Sequence, residues 1–137
     1  MAVPRHIRAD RISVIVPVND NQAGIDRLVS RFTALGVNFV LRAEIIVVDN
    51  GSAVPLRLPP HLNGPHACPL RHVICDRPGP AAARNAGAAV ARGDWLLVLE
   101  SDCLPTATTV SGYVTTDNRQ VAYGGQVCIP PRSALAR

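Results

Sequence analysis

Apolar residues fall along this chain in short runs and stripes separated by polar, glycine and proline punctuation. Residues 11–18 are nearly continuous in Ile and Val, which predicts a strand buried on both faces. Pro17 lies near its end, where a missing N–H does least harm. Asn19, Asp20 and Asn21 follow with turn and cap chemistry. Ile25, Leu28, Val29, Phe32 and Leu35 then recur at helical spacing and form one stripe of an amphipathic helix. Gly36 suits the position just past its end. Residues 44–49 predict a second buried strand, and Asn50-Gly51-Ser52 a turn. Strand, helix and strand with short connections imply a right-handed parallel βαβ unit.

The pattern then breaks. Residues 53–71 carry Pro55, Pro59, Pro60, Pro65 and Pro69 and predict an irregular surface loop. Residues 72–75 predict a short third strand. Pro80 opens an alanine-rich helix expected to run through Arg92 and stop at Gly93. Its small residues, Ala82, Ala83, Ala86 and Gly87, permit close packing on a sheet. Residues 95–99 form an apolar run long enough for a buried strand and too short for a membrane span. Pro105 can start a further helix to Thr116, although its residues are poor helix formers. Residues 121–129 read as a strand interrupted by Gly124 and Gly125. Alternating elements of this kind predict an α/β fold, with a mostly parallel sheet and flanking helices.

Composition narrows the class. The 137 residues, 47% hydrophobic and 18% charged, suit one globular domain and exclude a disordered chain. All 14 basic residues are arginines, scattered without the runs of a nucleic-acid tract. The net charge of +4 suits small anions such as nucleotides equally well. Cys68, Cys75, Cys103 and Cys128 form no CxxC pair and are expected as free thiols in a reducing compartment. The amino terminus lacks a signal-peptide core, and no apolar run is long enough to span a bilayer, so the expectation is a cytoplasmic protein.

Three features carry candidate chemistry. Glu100-Ser101-Asp102 closes the 95–99 run, and residues i and i+2 of a strand point to one side. Two carboxylates there could share a divalent cation such as magnesium or manganese, with a diphosphate supplying further oxygens. Equally, they could be polar residues where a strand leaves the core. Asp49 ends its own strand, on the edge where open α/β sheets bind ligands, or else serves an Asx turn. The start of the alanine-rich helix offers free N–H groups, with Arg77 and Arg84 nearby as diphosphate partners or as solvated surface groups. His61 and His66 have no ligand cluster and read as loop residues. No G-x-G-x-x-G follows the first strand, which disfavours a generic dinucleotide binder.

Four segments in order (residues 13–20, 44–52, 79–87 and 97–105) together resemble the nucleotide-sugar-binding half of a family 2 glycosyltransferase with the GT-A fold. Residues 121–125 are similar to the strand after that family's metal motif. The resemblance covers residues 11–129, leaving 1–10 and 130–137 as tails. It implies metal-dependent, inverting transfer of a sugar from a nucleotide-sugar, usually a UDP-sugar, to an acceptor hydroxyl. It places Pro17, Val18 and Asn19 beside the nucleoside and Asp49 on the base. Arg84 and Asn85 would lie near the donor pocket, Asp102 on the metal (Mn2+ or Mg2+), and Glu100 near the ribose or metal. The departures are Glu100 where the family carries Asp, Cys103 at a position often acidic, and the proline-rich loop in place of a short helix. The family's acceptor half and catalytic base have no counterpart here; Asp117, the only later carboxylate, reads as a turn residue. The chain is therefore expected to be truncated. The alternative expectation is an inactive nucleotide-binding fragment, or half of a split enzyme whose partner supplies the acceptor half.

Overall fold

The computed structural model describes residues 12–35, 44–61, 69–106 and 109. The predicted helix after Pro105 lies outside these except for Pro105, Thr106 and Thr109, and the strand at 121–129 lies outside them altogether. Among the described residues, four strands and two helices follow in the order β1 (Ile12–Val18), α1 (Gln22–Leu35), β2 (Glu44–Asp49), β3 (Leu70–Ile74), α2 (Pro80–Val90) and β4 (Trp95–Val98). The strands are all parallel, in the order β3-β2-β1-β4. This is the Rossmann-like α/β sheet that the alternation of elements predicts.

β1 and β2 are buried along their whole length, as continuous Val and Ile runs require. Their side chains divide between two cores. Val14, Val16, Val18, Ile45 and Val47 face Ile25, Leu28 and Phe32 of α1. Ile15, Ile46 and Val48 face Ala83 of α2 on the other side. Gly87 sets the approach of α2: a Cβ there would lie 2.6 Å from Ile15 Cγ2 and 3.1 Å from Val48 Cγ2. The small-residue helix is thus a packing device, as its composition suggests.

Three details depart from the sequence expectation. β3 begins at Leu70, which is buried and pairs with Ile45, although Pro69 hides this start in the sequence. β4 is not buried on both faces: Leu96 and Val98 stay 46% and 40% exposed, because α2 lies over β1 and β2. α2 ends at Val90, before Arg92. The reason is a polar network at the amino edge of the sheet. Glu44 Oε1 accepts the N–H of Arg92 at 2.6 Å and the hydroxyl of Ser13 at 2.8 Å. Ser13 Oγ in turn accepts the N–H of Gly93 at 2.8 Å. Arg71 donates to Glu44 Oε2 at 2.9 Å and to the carbonyl of Val90. These bonds draw the chain out of the helix and toward β4.

Burial pushes the Glu44 carboxyl up, but the Arg92 N–H, Arg71 and Ser13 outweigh it, so its pKa falls below 4.5. A depressed carboxylate stabilises the fold above its unfolded pKa and loses that contribution as pH falls through the folded value. Glu44→Gln should therefore cost roughly 1–3 kcal/mol at neutral pH and flatten the loss of stability below about pH 4.5, read from denaturation curves across pH. Gly87→Ala should lower stability by about 1–3 kcal/mol at every pH, since branched Ile15 and Val48 have little room to yield.

Candidate functional site

The carboxyl ends of all four strands share one edge, and the order of the strands places a switch point between β1 and β4. Pro17 opens it. β1 stays paired with β2 as far as Val18 and Asp49, and the Asn50 N–H extends the ladder to the Val18 carbonyl at 2.8 Å. Pairing with β4 ends sooner, at Ile15 and Val98, with Leu99 N donating to the Ile15 carbonyl. The next bond on that side would need an N–H from residue 17, and proline has none. Pro17 therefore sits inside a central strand, on the side where its missing donor separates two strands. Pro17 and Val18 are both buried and present no polar side chain to a ligand.

The turns after β1 and β2 are laced together. Asn19 Nδ2 donates to the Asn50 carbonyl at 2.6 Å. Asp20 N donates to Ser52 Oγ, and Ala53 N to Asp20 Oδ1. Asp49, 6% exposed, accepts the Ser52 N–H at 3.0 Å and a backbone bond from Leu56, so it does organise its turn. Burial raises its pKa, but the hydroxyl and N–H of Ser52, the Leu56 N–H and the nearby His72 together lower it. His72 Nε2 lies 3.9 Å from Asp49 Oδ2.

Asn50 is a junction that the sequence alone shows only as a turn residue. Its Oδ1 accepts the Gly79 N–H at 3.1 Å, and its Nδ2 donates to the carbonyls of Arg77 at 2.7 Å and Cys75 at 3.3 Å. It thereby fixes the segment leading into α2, where Gly79 adopts φ 106°, a region that favours glycine. Beside this segment an open groove is lined by Cys75, Arg77, Pro78, Ala82, Asn85 and Ala86. The Arg77 guanidinium has no partner among the described residues.

Beyond β4, Asn21 ties the start of α1 to the acidic turn. Its Oδ1 accepts the Gly24 N–H, and its Nδ2 donates to Ser101 Oγ at 2.9 Å. Arg84 reaches across from α2 to Glu100 Oε1 at 2.8 Å. Adjacent Arg84 and Asn85 are thus divided, one joining the acidic turn and the other lining the groove. Asp102 is exposed and has no hydrogen bond or ion pair among the described residues. Those residues gather no group of three or more His, Cys, Asp or Glu. A cation at this turn would have to bring oxygen ligands of its own, as a diphosphate would supply. Exposed His61 joins no such group either. Cys75 and Cys103 are free thiols; His66, Cys68, Asp117 and Cys128 lie outside the described residues.

Comparison with known proteins decides the family. The model of glycosyl transferase family 2 matches residues 13–129. The chain belongs to this family. Family 2 membership accounts for the parallel sheet and for the ordered segments that carry Asp49, Arg84 and Asp102. Two curated relatives, the pre-mycofactocin glycosyltransferases of two Mycobacterium tuberculosis strains, are each 36% identical over 94 residues, which is 69% of this chain. The match spans only 18% of each relative's length. Among solved structures, S. aureus TarS 1–349 superposes with a TM-score of 0.57 at 20% identity, over 74% of this chain and 30% of that one. Glucosyl-3-phosphoglycerate synthase from Mycobacterium tuberculosis gives 0.52 at 23%, over 73% and 37%. These likenesses establish a GT-A fold shared over part of longer chains. Among the described residues, no helix is long and apolar enough to cross a membrane.

The Asn50 junction can be checked directly. Asn50→Asp keeps an acceptor for Gly79 but loses both donations to carbonyls. It should cost roughly 1–3 kcal/mol and speed hydrogen–deuterium exchange at residues 75–79, leaving α1 unchanged.

Proposed function

We propose that residues 11–129 form the nucleotide-sugar-binding unit of a metal-dependent, inverting family 2 glycosyltransferase acting on a UDP-sugar. The observation that carries this reading is the Asp102 carboxylate, without a partner among the described residues, beside the opening between β1 and β4, on the edge that also holds Asp49 and Arg84. The synthase structure described above was solved with Mn2+ and uridine diphosphate, which supports the same class of donor here. Asp102, with Glu100, would hold Mn2+ or Mg2+. When bound, the cation would neutralise charge on the leaving diphosphate.

The chain's own residues contribute the donor side. Asp49 and Asn19 offer polar groups for the base and ribose, while buried Pro17 and Val18 form the wall behind them. Arg77 and Arg84 provide guanidinium groups for phosphate oxygens. Asn85 would bound the pocket through the groove beside α2. An inverting transfer also needs a base to take the acceptor hydroxyl's proton, and no described carboxylate is assigned that role. The free thiols accord with a reducing, cytoplasmic setting.

Titration calorimetry with UDP and UDP-sugars, with and without Mn2+, tests the reading. UDP should bind more tightly with Mn2+, and Asp102→Asn should weaken that binding by roughly ten-fold or more while leaving the fold intact. Absence of UDP binding, or an unchanged Asp102→Asn variant, would overturn it. Binding without transfer or donor hydrolysis would favour the second reading, a nucleotide-binding fragment that depends on segments supplied by a partner.

A further inference from the structure

Arg84 and Glu100 form an ion pair of 2.8 Å between α2 and the end of β4. Their side chains are 45% and 51% exposed, so the pair is open to exchange with solutes. Two residues further on, Asp102 is exposed and unpartnered among the described residues. One carboxylate of the turn therefore has its charge matched and the other does not. A divalent cation that needs both must first separate Glu100 from a guanidinium. A single exposed carboxylate gives such an ion little reason to shed its water. A diphosphate changes both sides of this balance. It brings oxygen ligands for the cation, and it offers the guanidinium a two-oxygen acceptor in exchange for Glu100.

We propose that Arg84 is an exchangeable counter-ion for Glu100 and makes cation binding conditional on the diphosphate. The inference rests on the nucleotide-sugar reading above. In the ligand-free chain Arg84 is held by Glu100. With the donor present, Arg84 turns to phosphate and Glu100 is released toward Asp102. Coupling of this kind is reciprocal: the diphosphate tightens the cation as much as the cation tightens the diphosphate. Glutamate suits the role, because its extra methylene extends the carboxylate toward α2. The pair is exposed, so its effect is a modest factor rather than an absolute block.

The test is Mn2+ binding followed by the paramagnetic resonance of the free ion, with and without saturating UDP. The samples are the natural chain, Arg84→Gln, Glu100→Gln and the double variant, with circular dichroism to confirm folding. Without nucleotide, Arg84→Gln should bind Mn2+ about five-fold more tightly, and the gain should vanish when Glu100→Gln is also present. UDP should then enhance Mn2+ binding less in Arg84→Gln than in the natural chain. An unchanged nucleotide-free affinity in Arg84→Gln, or a gain that persists with Glu100→Gln, overturns the proposal. Failure of UDP to bind the natural chain overturns the nucleotide-sugar reading as well. Asp102-dependent UDP binding with an indifferent Arg84→Gln overturns the counter-ion role alone.

Discussion

Buried backbone groups must be paired, and Pro17 has no N–H to offer. This constraint shapes the sheet more than any side-chain contact at the ligand edge. β1 is the central strand, bonded to β2 on one side and β4 on the other. On the β2 side its ladder runs to the last residue; on the β4 side it stops at Ile15. The turns beyond can therefore diverge, and the Asn21–Ser101 hydrogen bond links them across the opening. A donor-bearing residue at position 17 could extend the β1–β4 ladder by one bond and narrow the space in which the acidic turn stands.

The two edges of the sheet hold different kinds of polar chemistry. At the amino edge, Glu44 is 8% exposed and satisfied by Ser13, Arg71 and Arg92. At the carboxyl edge, Asp102 and Arg77 are exposed and unpartnered among the described residues, and Glu100 is held by one exposed arginine. A satisfied buried network rigidifies, whereas exposed charges remain available. Asp49 lies between these extremes. It is buried and bonded to its own turn, yet it stands on the ligand edge. The two sequence readings of Asp49, turn organiser and ligand, are therefore compatible, because one carboxylate has acceptor capacity for both.

Much of the fold was legible because it rests on local pattern. β1 and β2 are continuous apolar runs, α1 is a single stripe, and Pro80 marks the start of α2 within one residue. What escaped depends on contacts between distant segments. Leu70 is strand because Ile45 lies beside it, a fact invisible behind Pro69. α2 stops at Val90 because Glu44 and Ser13, far back in the chain, accept the N–H groups of Arg92 and Gly93. The site shows the same division. Asp49, Arg84, Glu100 and Asp102 could be named from residue type and position at strand or helix ends. The Asn50 junction could not, since an Asn-Gly turn says nothing of carbonyls at 75 and 77. Nor could the Arg84–Glu100 pair, which depends on the phase of α2 over the sheet.

The Gly87 contact has a consequence for how such chains can diverge. With its backbone seated against Ile15 of β1 and Val48 of β2, α2 cannot slide without unseating its contacts with both central strands. The helix behaves as a fixed rail, and whatever projects from its exposed side keeps a constant position relative to the end of β4. Substitutions at 84 or 85 would then change the chemistry offered to a ligand without changing where it is offered. A lineage can vary the chemistry of this surface one side chain at a time on such a rail, while Ala83, Gly87 and their partners keep the geometry in place.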